Sequence, residues 1–298
     1  MPSLAMVAFW VLGLVWGSNF IFMKWSSAYI SPDQVAFLRV LFGFIPLLAF
    51  ALWTGKLSRN HLKHWPHFVV MSLLATALYY YAFAEGTALL PSSIAGMLSA
   101  SIPLFTFVTA AIFLRSEPLT RLSLAGTSLG FIGVLLIAQP WQGLSGSINL
   151  AGVGYMIAGA LSVGVSFVYA KKFVSTLGIP PVALATYQIG LATILLGVTT
   201  DWHGITNITH DTRAAAALVI GLGVCGTGMA YMMYYYIVEQ MGAIKASGST
   251  YIPPVVALAI GAIFVGETVT TLDIIAMVVI LSGVWMIQRA KQNLAPQS

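Results

Sequence analysis

The 298-residue chain is 59% hydrophobic and 7% charged, where a soluble domain carries about 25% charged residues, so it lacks the charge to cover a solvated surface. Its net charge of +5 comes from basic residues scattered through short loops rather than gathered into a patch, which argues against nucleic-acid binding. The single cysteine, Cys225, excludes an intramolecular disulfide.

Apolar runs of roughly 20 residues, long enough to cross a bilayer, recur from end to end. In chain order they fall at about 5–24, 33–54, 66–88, 92–114, 119–138, 150–171, 180–199, 214–237, 243–265 and 270–289. The expected fold is an all-α integral membrane protein with ten transmembrane helices. The first run has no Lys or Arg ahead of it and reads as a retained helix rather than a signal peptide.

The first span carries Trp16, Asn19 and Phe20. A carboxamide inside a span faces the bundle interior, where Asn19 meets either a substrate or another helix. Trp16 is a candidate for stacking on a substrate, with plain packing as the alternative. Lys24 reads as an interfacial residue that snorkels. In the second span Arg39 is a functional candidate by its position alone. Glu85, near the end of the third span, is its expected partner in a gating or structural ion pair; binding of a substrate carboxylate is the other reading. The third span also holds "ALYYYAFAEG", whose Tyr80 and Tyr81 are candidate substrate contacts.

In the fourth span Ser92, Gly96, Ser99, Pro103 and Thr106 share one helix face. Pro103 cannot donate to the carbonyl of Ser99, and a bare carbonyl at mid-depth is tolerated only against protein, water or substrate. The ninth span repeats the device with Ser249, Pro253 and Pro254. Ser99 and Ser249 are therefore candidate site residues, and Pro103, Pro253 and Pro254 candidate hinges. The sixth span offers Ser166 and Tyr169, and the eighth, in "GMAYMMYYYIVEQ", offers Tyr231; Tyr235 and Tyr236 read as an interfacial aromatic belt.

With the N-terminus inside, Lys24 and Arg213 fall on the outer side and Arg39 within a span, while every other Lys and Arg falls inside. That bias favours both termini in the cytoplasm. Gly17, Phe20, Lys24, Val35, Ala36 and Gly43 recur at an offset of 147 as Gly164, Phe167, Lys171, Val182, Ala183 and Gly190. Tyr81, Ser99, Ile102, Pro103, Glu117, Thr120, Leu122 and Gly133 recur at an offset of 150 as Tyr231, Ser249, Ile252, Pro253, Glu267, Thr270, Leu272 and Gly283. Halves of five helices each, 1–140 and 141–298, must then be inverted relative to one another, a common plan among transporters.

The ten-helix plan, the duplicated unit, "GLVWGSNF" at Gly13–Phe20 and the paired "IP…E" segments resemble the EamA branch of the drug/metabolite transporter superfamily. Within it the chain looks most like YddG-type exporters of aromatic amino acids. The resemblance implies a cavity between the halves, walled by the first, third and fourth helices of each, and export of amino acids by alternating access across a bacterial inner membrane. A broad drug or metabolite exporter is the alternative.

No Asp or Glu lies at mid-depth, which counts against a proton-coupled exporter of organic cations. One intramembrane Arg is too few for phosphorylated cargo. His61, His64 and His67 read as a basic loop rather than a metal site, and no nucleophile–base or phosphate-binding pattern occurs. No catalytic residue, metal or cofactor is expected; the partners are a small molecule and the lipid bilayer. "GTSLG", Gly126–Gly130, is a small-residue face that serves packing within the chain or dimerisation.

Overall fold

The computed structural model describes residues 4–114, 120–145, 148–241, 246 and 248–294; Glu117 lies outside them. Ten helices are long and apolar enough to cross a membrane: α1 (Leu4–Ser26), α2 (Pro32–Trp53), α3 (Arg59–Leu89), α4 (Ser92–Phe113), α5 (Arg121–Gln142), α6 (Leu150–Leu177), α7 (Pro181–Thr199), α8 (Thr212–Met241), α9 (Gly248–Val265) and α10 (Thr271–Ala290). They match the expected spans to within a few residues, except that α3, α6 and α8 are longer. Their extra length includes 3-10 turns at Arg59–His64 and Ser175–Leu177, and π-helical stretches lie within the same helices.

The connections are short and capped. Pro32 opens α2 behind Ser31, whose N–H donates to Gln34 Oε1 at 3.2 Å. Asp211 accepts from the Ala214 N–H at 2.8 Å to start α8. On one face, which also carries the amino terminus, lie the Arg59–His64 turn and the end of α6. The opposite face carries the α1–α2, α3–α4, α7–α8 and α9–α10 connections.

Helix α2 shows how packing is encoded. Ala36, Val40, Gly43, Leu47 and Ala51 recur every three or four residues and are buried. Gly43 lets the backbone of α8 approach: a Cβ there would stand 2.6 Å from the Thr227 side chain. On another face of α2, Ile45 and Leu52 remain exposed, as befits side chains that meet lipid. Helix α1 packs against α8 and α9, α2 packs against α7 and α8, and α3 and α4 pack against α6. The two halves of the sequence are thus interleaved. The Gly126–Gly130 face packs within the chain: a Cβ on Gly126 would meet Gly283 O of α10 at 2.6 Å, and one on Gly130 would meet Leu104.

One polar contact ties α7 to α3 inside this apolar packing. Gln188 Nε2 donates to Thr76 Oγ1 at 2.8 Å, and both residues are buried. Thr76→Val keeps the shape but removes that acceptor. We expect it to lower stability by about 1–3 kcal/mol, seen as an earlier melting transition of the purified protein.

Helices α4 and α9 are both broken. α4 consists of Ser92–Ser99 and Ile102–Phe113, separated at Ala100 and Ser101. α9 begins with a 3-10 turn, Gly248–Tyr251, and continues as Ile252–Ile260. Pro103, Pro253 and Pro254 thus sit in the first turn of a new segment, where no intrahelical N–H donation is required. The expected mid-helix kink is replaced by a start. The serine hydroxyls satisfy carbonyls of the preceding turn: Ser99 Oγ donates to Gly96 O at 2.6 Å, Ser101 Oγ to Leu98 O at 2.7 Å, and Ser249 Oγ to Ala246 O at 2.8 Å.

Candidate functional site

Helix α1 packs at Gly13 and Gly17 on Ile252 and Pro253 of α9, and its Phe20 reaches Gly96 of α4; α1, α3 and α8 also contribute a row of aromatic rings. Trp16 lies 5.9 Å from Tyr234, Tyr234 6.0 Å from Tyr235, and Tyr235 6.1 Å from Tyr231, between ring centroids. The Tyr231 side chain interacts with that of Tyr80. From Tyr80 the row continues to Tyr79 at 4.8 Å and Phe83, 4.5 Å from Tyr79. Trp16, Tyr79, Tyr231, Tyr235, Ser99, Pro103 and Thr106 are only partly buried. Ring faces of this kind stack on planar apolar groups, and phenol hydroxyls offer donors and acceptors.

Beside Tyr80 in this row lies Arg39, 4% exposed. Its guanidinium stacks on the Tyr80 ring at 3.9 Å from the centroid. Nε donates to Thr227 Oγ1 at 3.1 Å, and one terminal nitrogen, Nη1, meets Met23 Sδ at 3.7 Å. The other, Nη2, donates to the Asn19 side-chain oxygen at 3.1 Å, in the amide orientation that also lets Asn19 donate to Val15 O at 3.2 Å. Thr227 in turn donates to Leu222 O, five residues back, at 2.9 Å. It does so within the π-helical stretch Ala217–Met229, whose wider turn and glycines bring α8 against α2.

Of the residues singled out from sequence, Trp16, Asn19, Arg39, Tyr80 and Tyr231 come together here, with Ser99 and Pro103 on the neighbouring broken helix. Others do not. Glu85 does not pair with Arg39: it interacts with Tyr81, one helical turn away, and both line a lateral crevice of about 400 Å³ with Asp33, Leu195 and Thr199. Tyr81 is turned from Tyr80 by one residue of helix, about 100°, so it faces that crevice and lies 6.4 Å from Tyr155. Tyr169 is on the amino-terminal face, where its hydroxyl meets His67 Nδ1 at 2.8 Å. Ser166 and Ser249 are fully buried and turn their hydroxyls onto their own helices. Tyr235, expected at the interface, joins the row instead. Thr227, Met23 and Tyr79 were not singled out; the glycines flanking Thr227 in "CGTGM" were the available sign that α8 is closely approached there.

Toward the opposite face α4 and α9 are in close contact. Gly96 of α4 packs directly on Ala257 of α9. Just beyond α9, Glu267 accepts from the Ser92 N–H at 2.7 Å, Ser92 Oγ at 2.8 Å and the Ser93 N–H at 2.9 Å, capping the start of α4. Burial pushes the Glu267 carboxyl up, but the bonds from Ser93 and Ser92 outweigh it and hold the group below its ordinary value. Lys24 lies in the last turn of α1 and is partly buried. Its ammonium spans to Ala88 O at 2.9 Å and Leu90 O at 2.8 Å, satisfying carbonyls at the end of α3. The second segment of α4 leans on α6, where a Cβ on Gly164 would reach Thr106 N at 2.9 Å.

The EamA-like transporter family model matches residues 3–139 and again 150–289. An "uncharacterized transporter" of Archaeoglobus fulgidus is 25% identical over 93% of this chain and 95% of its own. YdfC of Bacillus subtilis, also an "uncharacterized transporter", is 26% identical over 92% and 87%. The "uncharacterized inner membrane transporter" YedA of Escherichia coli K12 is 25% identical over 95% and 90%. A solved crystal structure with 20% identity superposes over the whole of both chains with a TM-score of 0.62, a likeness of fold. Two matches to one family model, covering nearly all of a ten-helix bundle, make this multi-pass membrane protein a member of the EamA-like transporter family.

Proposed function

We propose that the protein is a secondary exporter of amino acids, aromatic and other neutral or zwitterionic ones, working by alternating access between two inverted five-helix repeats, 1–140 and 141–298. The observation that carries this reading is the row of rings from Trp16 to Tyr80 on α1, α3 and α8, in a bundle whose α4 and α9 start afresh at Pro103 and Pro253. Discontinuous helices are where many transporters place their cargo. Both termini are assigned to the cytoplasm of a bacterial inner membrane, in keeping with the Lys/Arg bias and with the relative named as an inner membrane transporter. The likeness to YddG-type exporters rests on the sequence motifs alone.

Liposomes containing the purified protein should take up labelled tryptophan, and then threonine, saturably. Tyr231→Ala should reduce that flux at least about tenfold through lost stacking and hydrogen bonding, while Tyr81→Ala, in the lateral crevice, should leave it unchanged. Absence of saturable flux of either solute overturns the substrate assignment. A broad drug or metabolite exporter is the second reading, because rings stack on any planar solute. Competition by unrelated planar aromatics as strong as that by tryptophan selects it.

A further inference from the structure

Arg39 is a buried cation about 10 Å along α2 from its start at Pro32, well inside the span. Its contacts, Thr227, Met23, Asn19 and the Tyr80 ring, are all neutral. The described carboxylates are engaged or placed elsewhere. Asp33 accepts from Asp201 N, and Asp201 from His203 N. Asp211 holds Tyr29 and the start of α8, Asp273 caps α10 through Thr270, and Glu267 caps α4. Glu85 interacts with Tyr81, and Glu239 is exposed near the end of α8. Among the described residues, therefore, no carboxylate neutralises the guanidinium. A desolvated charge without a counter-ion is costly at this depth.

The donor count says what is still on offer. A guanidinium has five N–H groups; Nε, one N–H of Nη1 and one of Nη2 are taken by the contacts above. One N–H remains on each terminal nitrogen, and guanidinium N–H groups form charge-assisted bonds to carboxylate oxygens. Tyr80 covers one face of the guanidinium and interacts with Tyr231, which is partly exposed in the aromatic row. We propose that Arg39 is the carboxylate-binding group of this transporter: the cargo carries a monocarboxylate, which supplies the missing counter-charge while its apolar part stacks along Tyr80 and Tyr231. This rests on the functional reading above for the identity of the site, and it adds the requirement that the cargo be anionic at that end.

The test compares two probes of nearly the same shape, indole-3-propionate and its neutral primary amide. They are added to the purified full-length protein while thermal unfolding is followed, and then used as competitors of tryptophan uptake. The propionate is expected to stabilise the protein and to compete at least about tenfold better than the amide, the usual margin of a charge-assisted pair over a neutral one. Arg39→Gln should abolish the difference and Arg39→Lys should restore part of it. Equal effects of acid and amide on the wild-type protein overturn the proposal, and this comparison needs no variant to fold. Arg39-dependent stabilisation by the acid without tryptophan uptake would keep the anion site and reject the amino-acid reading. Tryptophan uptake blocked equally by acid and amide would do the reverse.

Discussion

Gly283→Ala should destabilise the protein by about 3 kcal/mol or more, because its new methyl group would be driven into backbone. Helices α5 and α10 cross at Gly126 and Gly283, each beside the other's main chain. A Cβ on Gly283 would overlap Gly126 O and come within 2.6 Å of Gly130 N and 2.9 Å of Gly130 Cα. None of these backbone atoms can rotate away as a side chain does, so the helices must separate and lose contact along their length. Gly154→Ala is the matched control: nothing lies within 4 Å of its Cβ position, and it is exposed on α6. Alanine's better helix propensity makes that change neutral or slightly stabilising. Thermal unfolding in detergent separates the two, and a Gly283→Ala variant that melts with the wild type would show that this crossing is looser than described.

The second large effect concerns the cap that joins the α9–α10 connection to the start of α4. Glu267→Gln retains one acceptor oxygen and turns an amide donor toward one of the two N–H groups, that of Ser92 or that of Ser93, which it cannot satisfy. It also removes the negative charge that acts on Lys24. With partial solvent access allowed for, the loss is about 2 kcal/mol, or roughly thirtyfold in the opening equilibrium at the start of α4. Amide exchange across residues 92–99 should accelerate accordingly at neutral pH, and unchanged exchange would count against the cap.

The same carboxyl makes a pH prediction of definite sign. Its value in the closed form lies below the ordinary 4.5, so its contribution is fully present above 4.5 and is lost as the pH falls through the depressed value. Exchange at residues 92–99 should thus be independent of Glu267 protonation between pH 6 and 8 and rise only in acid. A proton-driven step at neutral pH does not run through this residue.

How much of this was legible beforehand depends on the range of each interaction. The ten spans were readable because crossing a bilayer demands about 20 apolar residues in a row, a property of contiguous sequence. The breaks in α4 and α9 were readable because proline removes an N–H wherever the chain folds; only their form, two segments starting afresh with Ser99 and Ser249 turned onto their own carbonyls, needed the structure. Asn19, Tyr80, Tyr231 and Arg39 were recognised as polar or aromatic residues out of place in apolar runs.

Their partners were not recognisable. Opposite charge suggested Glu85 for Arg39, yet the guanidinium is met by Thr227, Met23, Asn19 and Tyr80 from three other helices. No local rule names a neutral partner 188 residues away. Tyr80 and Tyr81 are adjacent in sequence and equal in chemistry, but one residue of helix turns them toward different surroundings, the ring row and the lateral crevice. Composition and periodicity determined that this is a ten-helix membrane protein broken at two matched prolines. Which side chains share a site was decided by helix rotation and close approach at Gly43, Gly96 and Gly126, and these exist only once the helices pack.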